Sequence, residues 1–476
     1  MSLSFWSALH ILLLACVALR LFSRRAAQGS TVAWLLLVVL VPFFGVLIYL
    51  LIGERRLGRL WMKRAAALRP QVWQWAQGIP PACVASARTL SDGGESVSRL
   101  ARAAVGIPLM SGHRLQLIAD SPSIMRSMIE DIDAARDSVH MEFYIWQAGG
   151  FVDALVDALI RSAGRGVRCT TLMDSLGSRP FFGSDACRRL REGGVAVVEV
   201  LPVNPLRMFF VRFDLRDHRK IMVVDGAAAF TGGMNIREGN MLSRNPAHPV
   251  HDLHFEVRGP VVAQIQRVFV EDWEFCTGET LEGPLWFPEL PACGSCSAIG
   301  IVDGPDEDLE VMPAAFFAAL NAAREEVLIM TPYFLPTATL MAALRLCAIR
   351  GVKVTILTPA QNNIPFVAWA AQTLYPELLS VGCRIFESPP PFDHAKFFLI
   401  DGVWSFLGST NWDPRSLRLN FELNLACHDA GLGGRLRKEM AERLLLCREV
   451  TRESVDATPV LQRLRNGFAR LFIPVL

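Results

Sequence analysis

Two histidines, each followed two residues later by a lysine, are the groups in this chain best suited to chemistry. Residues 217–235 read "DHRKIMVVDGAAAFTGGMN" and residues 393–411 read "DHAKFFLIDGVWSFLGSTN", so both follow His-x-Lys-x4-Asp-x6-Gly-x-x-Asn. One His-x-Lys-x4-Asp match arises by chance in about one chain in a hundred of this length. Two matches with the same downstream Gly-x-x-Asn exclude chance. A histidine can attack phosphorus, and the departing alkoxide then needs a proton, which a second histidine on the far side of the phosphate supplies. Lys220 and Lys396 offer compact positive charge, and Asn235 and Asn411 offer amide donors, for the phosphate oxygens. Residues two apart on a strand share a face, so His218 projects with Lys220 and His394 with Lys396. Asp225 and Asp401 point to the opposite face and read as structural or supporting members of the catalytic set. The sequence has no metal-ligand cluster and no phosphate-cradling glycine loop. The chemistry expected is covalent histidine catalysis on a phosphodiester, with no metal or other cofactor.

The elements that must position these groups are also duplicated. "IDAARDSVHMEFYIWQ" (132–147) parallels "LNAAREEVLIMTPYFLP" (320–336), and "RGVRCTTLMDS" (165–175) parallels "RGVKVTILTPA" (350–360). Each copy reads as helix, apolar strand, helix, basic-flanked strand and then the motif, whose "IMVV" or "FFLI" run is a strand ending in an Asp-Gly turn. The fold class expected is α/β, with two halves related by a pseudo-twofold axis and one site between them.

The 476 residues carry 48 basic and 46 acidic groups, a net charge of +2, which argues against a broad nucleic-acid-binding face. Hydrophobic content of 51% points to a membrane. Residues 5–22 and 32–52 are apolar runs long enough, at about 1.5 Å per residue, for two crossings. A cleaved signal peptide is disfavoured: no basic residue precedes the first run and no small-x-small site follows it. A hairpin leaves everything after residue 52 on one side, and Arg55, Arg56, Arg59, Lys63 and Arg64 outnumber Arg24 and Arg25 of the loop, which favours a cytoplasmic body. The basic stretch with Trp61, Trp73 and Trp75 reads either as an interfacial helix or as a simple topogenic flank. Eleven cysteines, an odd number, suit a reducing compartment, and Cys293 with Cys296 lacks the partners of a zinc site.

The paired motifs resemble the phospholipase D superfamily, and nearly the whole chain is similar to its bacterial cardiolipin synthase branch. The likeness runs from "AWLLLVVLVPFFGVLIYLLIGERR" through "DLRDHRKIMVVDG", "TPYFLP" and "SLRLNFELNLA" to "ARLFIPVL". The resemblance implies a phospholipase D-like duplicated fold behind a transmembrane hairpin. It implies metal-independent transfer in which two phosphatidylglycerols give cardiolipin and glycerol through a phosphatidyl-histidine. His218 would be the nucleophile and His394 the acid and then the base, although exchanging the roles leaves the motif unchanged. Asp252 in "HDLHFEV" and Glu422 in "NFELNLA" stand where the family has a carboxylate that orients the histidine. Ser409 has Gly233 as its counterpart, so a hydroxyl contact to phosphate would be one-sided. "QNN" (361–363) replaces an expected aspartate-containing turn.

The organisation expected is an anchor over 1–56, a juxtamembrane segment over 57–105, halves over 106–285 and 306–476, and a linker over 286–305. The partners expected are phosphatidylglycerol, other phospholipids and the bilayer of a bacterial inner membrane, with no nucleic acid. Met208, Phe209, Phe210 and Val211, and the basic and apolar tail, read as interfacial lips or as packed segments. A hydrolase passing the phosphatidyl group to water would use the same residues, and so a product must decide. A non-catalytic scaffold would have no reason to keep both histidines, lysines and asparagines.

Overall fold

The computed structural model describes residues 3–23, 28–53, 75–86, 90, 92–202, 212, 214–241, 249–305 and 310–473. They divide into two units, residues 1–63 with 203–215 and residues 64–202 with 216–476. The basic run 55–64, Arg24 and Arg25, Trp61, Trp73 and the stretch Met208 to Val211 lie outside the described residues.

The first unit is helical, with Leu3–Ser23, Gln28–Leu40 and Phe44–Ile52. Among the described residues one helix, Phe5–Ser23, is long and apolar enough to cross a membrane. The second expected span is broken. Pro42 has no N–H to donate and its ring crowds the carbonyl four residues back, so the helix stops at Leu40. Phe43 turns at φ 60° before the next helix starts. Val17, Leu21, Val38, Val46 and Tyr49 pack together inside. Leu12, Leu19, Phe22, Leu40 and Phe44 face outward, 60–74% exposed, a shell that an apolar surrounding would cover.

The body is built on a mixed sheet whose two halves meet at an antiparallel seam between Met110–Ile118 and Cys296–Asp303. Outward from the seam the first half runs His254–Arg258, Ala228–Gly232, Lys220–Val224, Ser138–Phe143, Arg168–Asp174 and Ala196–Val200. The second half mirrors it with Asn420–His428, Trp404–Gly408, Phe397–Ile400, Glu326–Met330, Lys353–Pro359 and Arg384–Ser388. The last three strands named for each half run parallel and the others antiparallel, and the second half adds an antiparallel edge strand, Arg448–Val450, beyond Arg384–Ser388. Parallel neighbours need a crossover, and the helices Phe151–Gly164 and Ala338–Ile349 supply it. The helix Ser121–Ala134 shows why such segments form: Asp120 caps the N–H of Ser123, Pro122 sits in the first turn, and Ile124, Met125, Met128 and Ile132 are buried on one face.

Two expected boundaries move. The segment expected as a linker contains the seam strand Cys296–Asp303, and the juxtamembrane stretch ends in a helix, Asp92–Val105, whose Val97 and Ala101 belong to the core under the second half. Both halves therefore share one body. Trp75 is half-buried against the seam core instead of facing an interface. All eleven cysteines are unpaired.

Candidate active site

Each motif begins where one half meets the other and ends at a hairpin far from it. The strand Lys220–Val224 turns through Asp225 and Gly226, at φ 50° and 61°, into Ala228–Gly232, and Phe397–Ile400 turns through Asp401 and Gly402, at φ 50° and 66°, into Trp404–Gly408. Positive φ at both turn positions is what Asp-Gly accommodates. The Asp225 carboxylate accepts the N–H groups of Arg136, Asp137 and Ser138 at 2.8–3.2 Å, and that of Asp401 accepts those of Arg324, Glu325 and Glu326 at 2.8–3.2 Å. Five residues of strand, roughly 17 Å, separate each aspartate from its lysine. Their place in the catalytic set is thus corrected: they pin the hairpin to the start of the neighbouring strand and lie outside the cleft.

At the other end the halves exchange strands. Arg216–Asp217 pairs in parallel with Asn420–Phe421, and Phe392–Asp393 pairs in parallel with Val250–His251. The next residues are His218 beside Glu422 and His394 beside Asp252, and the backbone continues the match: His218 N–H donates to Phe421 O at 2.9 Å and His394 N–H to His251 O at 2.7 Å. Consequently each histidine is held by the carboxylate of the opposite half. His218 Nδ1 lies 2.9 Å from Glu422 Oε1, and His394 Nδ1 lies 2.8 Å from Asp252 Oδ2. A carboxylate accepting at Nδ1 favours the tautomer that leaves Nε2 with its lone pair; at His394, Lys396 Nζ also lies 2.9 Å from Nδ1 and 3.3 Å from Nε2. Both histidines line one cavity of about 740 Å³, whose wall includes Ile364, Val367 and Phe392 as well as polar groups.

Lys220 and Lys396 sit beneath the histidines, buried, their Nζ donating to the carbonyls of His218 at 2.6 Å and His394 at 2.5 Å. Burial pushes Lys220 down to about 7, with Glu422 opposing and Lys396 adding to the fall, and it pushes Lys396 down to about 8. Burial, then the charge of Lys396, brings His394 down to about 4 against the pull of Asp252. Burial also lowers His218, opposed by Glu422 and reinforced by Lys220. For Asp252 and Glu422 burial acts upward, but the cationic neighbours outweigh it and hold both carboxyls below their usual range. At neutral pH the site thus has two neutral imidazoles, two carboxylates and two weakened ammonium groups. That arrangement suits an incoming phosphodiester anion, whose charge favours protonation of one imidazole.

The comparisons agree with this geometry. A family model described as "Cardiolipin synthase, PLD-like domain" matches residues 128–273 and 316–444, and one described as "Phospholipase_D-nuclease N-terminal" matches residues 3–54. The chain is 35% identical over 471 residues to cardiolipin synthase A of Citrobacter koseri, covering 98% of this chain and 96% of that one. The chain belongs to the cardiolipin synthase family. Cardiolipin synthase A of Klebsiella pneumoniae subsp. pneumoniae is similar to the same extent, 35% over 471 residues with the same coverage. The crystal structure of phosphatidylserine synthase from Haemophilus influenzae Rd KW20 shares the fold at TM-score 0.61, covering 81% of this chain and all of that one at 14% identity.

Within this family frame, the remaining expected groups separate into those on the cleft and those behind it. Asn235 and Asn411 line the cavity, Asn235 Oδ1 accepting the Ile145 N–H at 3.2 Å and Asn411 Nδ2 donating to Ser416 Oγ at 3.1 Å. Ser409 does not line it. Its hydroxyl donates to Glu422 Oε2 at 2.5 Å and accepts the Leu423 N–H at 3.1 Å, so its expected phosphate contact is corrected to bracing Glu422. Its counterpart must be glycine, because a Cβ on Gly233 would come within 2.2 Å of Asp252 Oδ1. The "QNN" segment is on the cavity wall, with Asn362 donating to Pro332 O at 2.8 Å and Asn363 Oδ1 accepting from Tyr333 at 2.9 Å.

Sequence reasoning missed Tyr144 and Tyr333, whose rings stand edge-on to His218 and His394 with centroids 5.1 and 6.1 Å away. The signal was available, since they hold the same place in the two repeats, "FYIWQ" and "PYFLP".

Proposed function

We propose that the cleft transfers a phosphatidyl group from one phosphatidylglycerol to another, giving cardiolipin and glycerol. The observation that carries this reading is the reciprocal pairing of two histidines with carboxylates of opposite halves, both opening on one cavity with an apolar wall. His218 Nε2 attacks phosphorus while the bond to the glycerol oxygen breaks, and that oxygen takes the proton held by His394. His394, now neutral, removes the proton from the hydroxyl of a second phosphatidylglycerol, whose oxygen attacks phosphorus as the bond to His218 breaks. Glu422 and Asp252 hold each imidazole in register and stabilise whichever becomes cationic. Lys220, Lys396, Asn235 and Asn411 steady the phosphoryl oxygens as charge develops.

The anchor is residues 1–56, in a bacterial inner membrane. Gln28–Leu40 and Phe44–Ile52 together make a second, interrupted crossing that returns the chain to the side of its amino terminus, the cytoplasm. The body also meets the lipid surface. The terminal helix Val460–Arg470 turns Asn466 and Ala469 inward and leaves Leu461, Leu464 and Phe468 exposed at 81%, 65% and 56%, with Arg463, Arg465 and Arg470 beside them and no acid. An apolar stripe with a basic border is the composition that anionic headgroups receive.

The test is mass spectrometry of products from the purified full chain with phosphatidylglycerol in mixed micelles. Cardiolipin and free glycerol are expected, both lost in His218→Ala and in His394→Ala. Phosphatidic acid without cardiolipin would instead make water the acceptor and the protein a phospholipase.

A further inference from the structure

The pseudo-twofold symmetry of the site is broken by charge on the cavity, at Arg216 against Phe392 and at a pair two residues beyond the motif asparagines. Arg237 stands two residues beyond Asn235, and Asp413 stands two beyond Asn411; both line the cavity. Asp413 is occupied locally, its Oδ1 accepting the Ser416 N–H at 2.7 Å. Burial pushes its carboxyl up to about 7, so at neutral pH its negative charge is only partly present.

Arg237 is different. It is half-buried, its side chain has no hydrogen-bond or ion-pair partner among the described residues, and its Nε is shielded from solvent with no acceptor. The neighbouring acid on its own loop, Glu238, is engaged elsewhere, accepting the Phe151 N–H at 2.6 Å. Burial pulls the guanidinium downward, while Asp252 and Tyr333 act in the other direction. Both groups stand at His394, which Asp252 holds and the Tyr333 ring packs against, and Arg237 lines the same cavity as His394. Asp252 is not a free counterion, because its Oδ2 faces His394 and its Oδ1 accepts the Leu253 N–H. A shielded Nε–H with no acceptor carries an unrelieved desolvation cost, and an anion with two oxygens, meeting Nε and a terminal nitrogen together, is the ligand that relieves it.

We propose that Arg237 anchors a second phosphodiester, that of the acceptor lipid, while the acceptor's hydroxyl is at His394. This rests on the phosphatidyl-transfer reading above and adds how the acceptor is chosen. A phosphatidylglycerol acceptor carries its phosphate a glycerol's length from the attacking hydroxyl, whereas water and free glycerol carry none. Binding energy at Arg237 is therefore available to the lipid acceptor alone, and it favours transfer over loss of the intermediate to small nucleophiles.

The experiment runs two reactions in one tube. The purified full chain is given phosphatidylglycerol in mixed micelles with radiolabelled free glycerol, and the label entering phosphatidylglycerol by exchange is compared with the cardiolipin formed. Exchange passes through the same histidines but uses an acceptor without phosphate. In Arg237→Gln the ratio of cardiolipin to exchange is expected to fall about ten-fold or more, and Arg237→Lys, which keeps the charge without the fork, is expected to recover part of it. The ratio is internal to each preparation, so a partly unfolded variant does not distort it. A ratio within two-fold of the parent, whatever the absolute rates, overturns the proposal. A parent protein that exchanges glycerol but forms no cardiolipin overturns the lipid-acceptor reading beneath it, and that result is seen before any variant is made.

Discussion

Replacing Asp252 with asparagine perturbs the histidine of the other half, and the size of the effect can be worked out. Asp252 is buried and faces His394 Nδ1 at 2.8 Å. A hydrogen bond to a charged group contributes about 1.5–3 kcal/mol and a neutral one about 0.5–1.5 kcal/mol. The loss of about 1–1.5 kcal/mol is roughly ten-fold in any step where His394 is cationic. The amide can also turn its NH2 toward Nδ1 and impose the wrong tautomer, an effect of about 10⁴ in the serine protease triad. Cardiolipin formation in Asp252→Asn is therefore expected to fall by about 10- to 10⁴-fold, the larger figure if the wrong tautomer is imposed.

The assay that isolates the cause uses a phosphatidyl donor with p-nitrophenol as leaving group, which departs without a proton. With this donor Asp252→Asn should still load the phosphatidyl group onto the peptide containing His218, and unloading should be slow. Glu422→Gln should fail to load. Cardiolipin formation within three-fold of the parent in Asp252→Asn would refute the role of the carboxylate. Lost loading with normal unloading would show that Asp252 serves His218, and would refute the exchange between halves.

Three further outcomes are expected. Gly233→Ser copies the second motif into the first, but its Cβ would press on Asp252 at 2.2 Å, so we expect a loss of about 1–3 kcal/mol in thermal unfolding together with reduced activity; an unchanged melting curve and rate would refute the steric argument. Lys220 and Lys396 have folded pKa values of about 7 and about 8, below their usual range, so they lose their charge as pH rises through that window. The alkaline limb of kcat/KM should fall there, and a limb beginning above about 9 would count against the lysines as phosphate-binding cations. In the terminal helix, Leu461→Glu with Leu464→Glu removes two side chains, each worth about 1.5–3 kcal/mol when buried in lipid. Activity on anionic vesicles relative to monomeric short-chain phosphatidylglycerol should drop at least about ten-fold, and an unaltered ratio would mean that this face does not meet the bilayer.

What the sequence determined by itself was whatever local spacing encodes. His-x-Lys puts two groups at one strand start, Asp-Gly closes the hairpin, and repetition of the whole unit announces two facing halves; all of these depend on residues a few positions apart. The break at Pro42 was not legible in this way: residues 32–52 read as one crossing, because a proline is tolerable in a helix that neighbouring segments support.

Only the tertiary structure decided which carboxylate serves which histidine. Residues 218 and 422 are neighbours because two short parallel strand pairings cross between the halves, and no periodicity in the chain specifies that exchange. For the same reason Ser409 read as a phosphate ligand, whereas the fold turns its hydroxyl to Glu422, and nothing in the local spacing singled out Arg237. Residue type and spacing select the reacting groups. Long-range backbone pairing determines the partner that orients each one and therefore the charge it carries.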